Sequence, residues 1–212
     1  MPLAADWVTI SALATAAGTL VLALATYAAV RSANRAARVA ERSLLAGLRP
    51  LLLPSRLEDA TQKVAFVEGK YLAVPGGMGV AEVTDEVVYL AASLRNVGPG
   101  IAILHGWHFY PERVTRGEHP PLEDFTLLAR DLYVPMSGVG FWQGAFRDPS
   151  LPAFAEARAV VAENLDWTVD VLYGDAEGGQ RVISRYTMIP REEGQWLANV
   201  GRHWNLDRAA PR

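Results

Sequence analysis

Residues 7–30, WVTISALATAAGTLVLALATYAAV, run for 24 positions without a charged side chain. As a helix this stretch is about 36 Å long, against a bilayer hydrocarbon core of about 30 Å. A buried core helix rarely runs this long without a polar face. The run predicts a transmembrane helix over 7–30, preceded by a short tail at 1–6.

The flanks predict its orientation. Arg31, Arg35, Arg38 and Arg42 follow the run with Glu41 as the single acid among them, whereas Asp6 precedes it. Basic flanks stay in the cytoplasm. The expected arrangement is a single-pass protein of the cell membrane, with the N-terminus outside and the C-terminal part cytoplasmic. A cleaved signal peptide would carry its positive charge ahead of the apolar stretch. Cleavage after Ala28 or Ala29 would give the alternative, an exported domain.

No proline or glycine interrupts residues 19–46, so the helix is expected to continue as a basic juxtamembrane segment over 31–48. Gly47 and Pro50 then end it. The arginines share one helical face, and Arg31, Arg35 and Arg38 are placed to contact anionic lipid headgroups. The opposite stripe holds Ser11, Thr15, Leu22, Thr26, Ala33, Ala37, Ala40 and Leu44. Small residues along one face allow close helix approach, so this stripe is the expected face of a parallel homodimer.

Beyond residue 48 the periodicity changes from helical to two. Val88, Leu90, Ala92 and Leu94 alternate with Val87, Tyr89, Ser93 and Arg95. Residues 101–110 place Ile101, Ile103, His105, Trp107 and Phe109 on one face. Residues 167–173 and 181–189 alternate likewise, with the turn GDAEGGQ between them. These patterns predict strands and an antiparallel hairpin. Weaker strand signals lie at 50–56, 63–67, 71–74, 80–84, 131–135, 139–146 and 195–204. A helix is expected within 149–164, capped by Ser150, and a short one near 122–129. The predicted fold is mainly β: an antiparallel, immunoglobulin-like β-sandwich over 49–205 with one or two helical insertions, then a flexible tail at 206–212.

Few constellations suggest chemistry. Cysteine is absent, which removes disulfides and thiolate catalysis. Residues 50–212 carry 15 basic and 21 acidic side chains, a poor surface for nucleic acid. His105 and His108 would point to opposite faces of a strand, and His119 and His203 stand alone. VPGGMGV (74–80) lacks the Lys-Ser/Thr of a phosphate loop and reads as a flexible turn. NVGPG (96–100) reads as a structural turn. The acids at 123, 124, 131, 175 and 177 do not match a calcium loop. Trp142, Trp196 and Trp204 are expected mostly in the core, and any two exposed together would mark a partner site. No catalytic, metal or cofactor site is assigned. The expected role is a membrane-anchored β domain for protein–protein interaction with an unknown partner, not an enzyme. The alternative is a tethered enzyme or small-ligand sensor built on the domain's loops.

Overall fold

The computed structural model describes residues 3–192 and 194–207. Two compact units divide at Ala46/Gly47. The first is one helix, α1 (Leu3–Gly47), unbroken over 45 residues. It takes in positions 3–6 of the expected tail. Over residues 6–44 its apolar side chains are exposed, Leu22 by 67% and Val21 by 66%, and it is long and apolar enough to cross a membrane.

The second unit is mainly β. Its strands are β1 (Leu52–Pro54), β2 (Gln62–Ala65), β3 (Tyr71–Val74), β4 (Met78–Val83), β5 (Val88–Asn96), β6 (Ala102–Tyr110), β7 (Thr126–Val134), β8 (Val139–Phe146), β9 (Trp167–Gly174), β10 (Arg181–Pro190) and β11 (Gln195–Asn205). Each weak strand signal corresponds to one of them. The exception in kind is the stretch near 122–129: it holds a 3-10 turn, Leu122–Asp124, and then β7.

Nine strands belong to one antiparallel sheet, in the order β8-β5-β4-β11-β10-β9-β6-β7, with β1 also pairing the end of β5. This differs from two stacked immunoglobulin-like sheets. The sheet instead curls until its ends approach. Trp107 of β6 and Trp142 of β8 sit near opposite ends of the order, yet their rings are 5.6 Å apart. Trp142 reaches Trp167 at 6.3 Å, and Trp167 reaches Trp196 at 6.1 Å. Alternation reports that one face of each strand is buried. It does not distinguish a second sheet from the same sheet folded back.

The concave face carries Leu90, Val169, Tyr186, Met188 and these tryptophans. Helix α2 (Pro152–Ala162) adds Phe154, Ala157 and Val160 to that core. Its N-cap is Leu151 and not Ser150, whose hydroxyl donates to Asp148 instead. Pro152 opens the helix because its missing N–H is not needed there. On the convex face of β4 and β5, the β2–β3 hairpin packs Val64, Phe66 and Leu72 against Val80, Tyr89 and Ala91. Strand β5 is therefore buried on both sides.

Strand β6 departs from strict alternation. Its register slips between Leu104 and Gly106 against both neighbours. Ala102 and Leu104 face the core before the slip, and Trp107 and Phe109 after it, while Ile101 is 46% exposed. A bulge adds a residue and reverses the phase of the residues beyond it, so the expected face from Ile101 to Phe109 is not continuous. Residues 206 and 207 of the expected tail are bonded to β10. Leu206 donates to the Arg181 carbonyl and Asp207 accepts from the Arg181 amide; residues 208–212 lie outside the described residues.

Candidate functional site

All residues of the two predicted helical stripes lie on α1 and are exposed. The hydroxyls of Thr15 and Thr19 donate to carbonyls four residues back, and that of Ser11 to Val8, three back. Hydroxyls satisfied within their own turn do not obstruct an apolar surround. Tyr27, Asn34 and the headgroup candidates Arg31, Arg35 and Arg38 line one shallow groove.

At the start of the β unit, polar groups concentrate on one segment, Leu48–Leu52. Asn96 is fully buried. Its Oδ1 accepts from the Leu51 and Gly98 amides at 3.2 and 3.0 Å. Its Nδ2 donates to the Gly100 and Val134 carbonyls at 2.6 and 3.1 Å. The glycines of NVGPG are there for close approach: a Cβ on Gly98 would overlap the Arg49 carbonyl, and one on Gly100 the Leu48 carbonyl. The turn is thus a clasp on the segment that enters the domain. Leu52 completes it, its amide donating to the Tyr173 hydroxyl and its carbonyl accepting from Tyr186. Burial pushes both phenols up, Tyr186 well above its ordinary value.

The clasp continues into the core as a hydrogen-bonded chain. Tyr173 Oη lies 2.8 Å from Ser184 Oγ, which lies 2.6 Å from His203 Nδ1. Burial, and then the charge of Arg49, hold the imidazole below its usual pKa. His203, which stands alone in sequence, is brought to a serine here. Ser184 is nevertheless wholly buried between Tyr173 and His203. A nucleophile must meet a carbonyl carbon, and this hydroxyl is enclosed; the geometry is that of a structural relay.

A second polar cluster lies on the convex face. Asp170 of β9 and Arg185 of β10 are register partners, joined at 2.7 Å (Nε to Oδ1) and 2.6 Å (Nη2 to Oδ2). Their side chains are 0% and 3% exposed. Arg185 also donates to the Arg116 and Glu118 carbonyls and stacks on Trp204 at 4.9 Å. Burial opposes its charge, but the bonds to Asp170 outweigh it and raise its pKa. The pair pins the 111–121 loop over the sheet. Trp204, bonded to the Gly117 carbonyl, belongs to that cover.

The remaining expectations place simply. His108 Nδ1 bonds the Asp124 carbonyl, and among the described residues no group of three His, Asp or Glu side chains could hold a metal ion. Asp175 accepts from Gly179 within its own hairpin turn. The 74–80 stretch is packed and not loose: the Gly77 amide donates to Ser55 Oγ, itself bonded to Ser93.

An opening lies between β7 and β8. β7 and β8 are consecutive, yet neither pairs with the other. Between them lies a cavity of about 150 Å3, lined by Trp107, Phe66, Leu128, Leu132, Gly144 and Arg130 among others. Leu127 beside it is 74% exposed.

No protein-family model matches the chain, and no curated protein matches it. Among solved structures, a crystal structure of a protein from Archaeoglobus fulgidus aligns at 12% identity, over 62% of this chain and 94% of that one, with a TM-score of 0.24. A score that low establishes no common fold.

Proposed function

We propose that the chain is a single-pass membrane protein that holds its β domain at the cytoplasmic face for interaction with another protein, without catalysing a reaction. The observation that carries this reading is α1: an unbroken helix, exposed throughout its apolar length, with an arginine stripe where residues 31–42 leave the uncharged run. Arg31, Arg35 and Arg38 would rest against anionic headgroups. A second copy would pack along Ser11, Thr15, Leu22, Thr26, Ala33, Ala37, Ala40 and Leu44. The interaction role is supported by the unpaired edges of β7 and β8, which suit addition of a partner strand.

The absence of cysteine makes the test direct. Single cysteines at Ala4 and at Leu57, a residue 70% exposed, are treated in sealed cells with a membrane-impermeant maleimide. Position 4 is expected to label, and position 57 only after permeabilisation. Labelling of Leu57→Cys in sealed cells, on a product shortened to begin near residue 29, would instead establish export. Thr15→Cys or Ala37→Cys is expected to give a crosslinked dimer in native membranes. A photo-crosslinking residue at Leu127 is expected to give a discrete adduct with a second polypeptide; no adduct would remove the interaction role.

A further inference from the structure

The opening between β7 and β8 arises from how the sheet is built. At the β6 bulge, Leu104 pairs Leu132 and Gly106 pairs Leu127. Four residues of β7, Leu128–Asp131, thus face one residue of β6, His105, and β7 arches away from the sheet. On the other side, β8 pairs with β5 along its whole length and with nothing else. The peptide groups on its free side have no strand partner.

The cavity beneath the arch is apolar and has an aromatic floor. Trp107 is 3% exposed, and Phe66 and Leu132 add walls. A volume of about 150 Å3 is enough for one benzene-sized group, since an apolar cavity of that size in another protein takes up benzene.

Arg130 lines the opening and, among the described residues, is bonded only to uncharged groups. Arg130 Nη2 donates to the Ala65 carbonyl at 2.9 Å and to Gln143 Oε1 at 3.3 Å, both uncharged. No ion pair among the described residues includes Arg130. Its neighbour at the mouth, Arg147, is by contrast occupied by Glu68 at 2.5 Å. A guanidinium presents a planar fork that matches a carboxylate.

We propose that this cavity binds a small organic carboxylate bearing one benzene-sized apolar group. The apolar group sits under Leu128 with Trp107 at the base of the site; the carboxylate takes the Arg130 guanidinium at the mouth. The ligand bridges β7 and β8 where the sheet lacks a ladder between them. This site does not depend on the interaction role proposed above.

The test uses the full chain in lipid nanodiscs, with empty nanodiscs to subtract partitioning. The probes are 4-fluorophenylacetate and its uncharged analogue 4-fluorophenylacetamide, followed by ligand fluorine NMR. Saturable binding of the acid, tighter than the amide, is expected. Arg130→Gln should weaken the acid by about tenfold, the scale of one charge-assisted contact, and leave the amide unchanged. Arg130→Lys should fall between. Leu128→Trp, which fills the arch, should abolish both, and Arg158→Gln on the exposed side of α2 should change neither. No saturable binding at millimolar acid, equal affinity for acid and amide, or an Arg130→Gln variant that binds like the native chain would each overturn the proposal. Arg130 is a surface residue, so its variants test the site without endangering the fold.

Discussion

Truncation of Asn96 to alanine tests the clasp. The side chain serves four backbone groups, the amides of Leu51 and Gly98 and the carbonyls of Gly100 and Val134. Three of those bonds are buried; the one to Leu51 is partly buried. In Asn96→Ala the three buried groups lose their partner where water does not readily replace it. At about 1 kcal/mol or somewhat more for each, and less for Leu51, the expected loss is about 3–4 kcal/mol. The assay is urea unfolding of the full chain in mild detergent, followed by tryptophan fluorescence, because Trp142, Trp167 and Trp196 are fully buried. With a slope of about 2 kcal/mol per molar urea, the midpoint should fall by about 1.5–2 M. Hydrogen exchange supplies the specific readout: the amides of Leu51 and Gly98 should lose more protection than those of the β9–β10 hairpin. Asn96→Asp keeps the Oδ1 acceptor, loses both N–H donors and sets a carboxylate against two carbonyls, so it should cost at least as much. A loss below about 1 kcal/mol for Asn96→Ala, or uniform loss of protection, would refute the idea that this side chain holds the entering segment.

Asp170→Ala leaves Arg185 charged and buried, and should cost about 3–5 kcal/mol in the same unfolding assay. His203 predicts a pH effect. Its folded-state pKa is lowered, so as pH falls through about 6.5 the unfolded chain takes up a proton first. The stability it contributes is complete above that pH and declines until the lower folded-state value is passed. His203→Asn, which can still bond Ser184, should flatten stability across pH 5–7, a window above the range in which the depressed carboxyls of Glu68 and Asp207 titrate. Replacing Arg31, Arg35 and Arg38 together by glutamine weakens the topology signal, and maleimide labelling should then find Leu57→Cys on both sides of the membrane.

What was legible in the sequence is what local period dictates. The uncharged run and the arginine spacing place both stripes of α1 on one helix because 3.6 residues per turn acts over any length. Val88, Leu90, Ala92 and Leu94 show their inward face because no bulge intervenes in β5. The β6 stretch IAILHGWHFY also alternates, but the added residue at His105 belongs to the pairing with β7 and β9, and only Gly106 hints at it. The curl of the sheet was illegible for a similar reason. The contact between Trp107 and Trp142 joins strands that are far apart in pairing order, and apolar alternation carries no information about pairing order.

The polar sites were hidden by sequence distance. Arg185 holds carbonyls at Arg116 and Glu118, nearly 70 positions away, and no spacing rule links them. The clasp left a partial trace. NVGPG is recognisable as a turn, yet glycine has two uses in a turn: positive φ, and room for another backbone. Neither Gly98 nor Gly100 has the positive φ found at Gly69, Gly77, Gly178 and Gly194; each is instead pressed against residues 48–51. Asn96, a fully buried amide at the end of β5, was the sign of which use applied. A fully buried amide must find several partners, and the polar backbone that meets it is the segment arriving from α1. The polar bonding at this end of the domain therefore holds the segment Leu48–Leu52 as it enters β1.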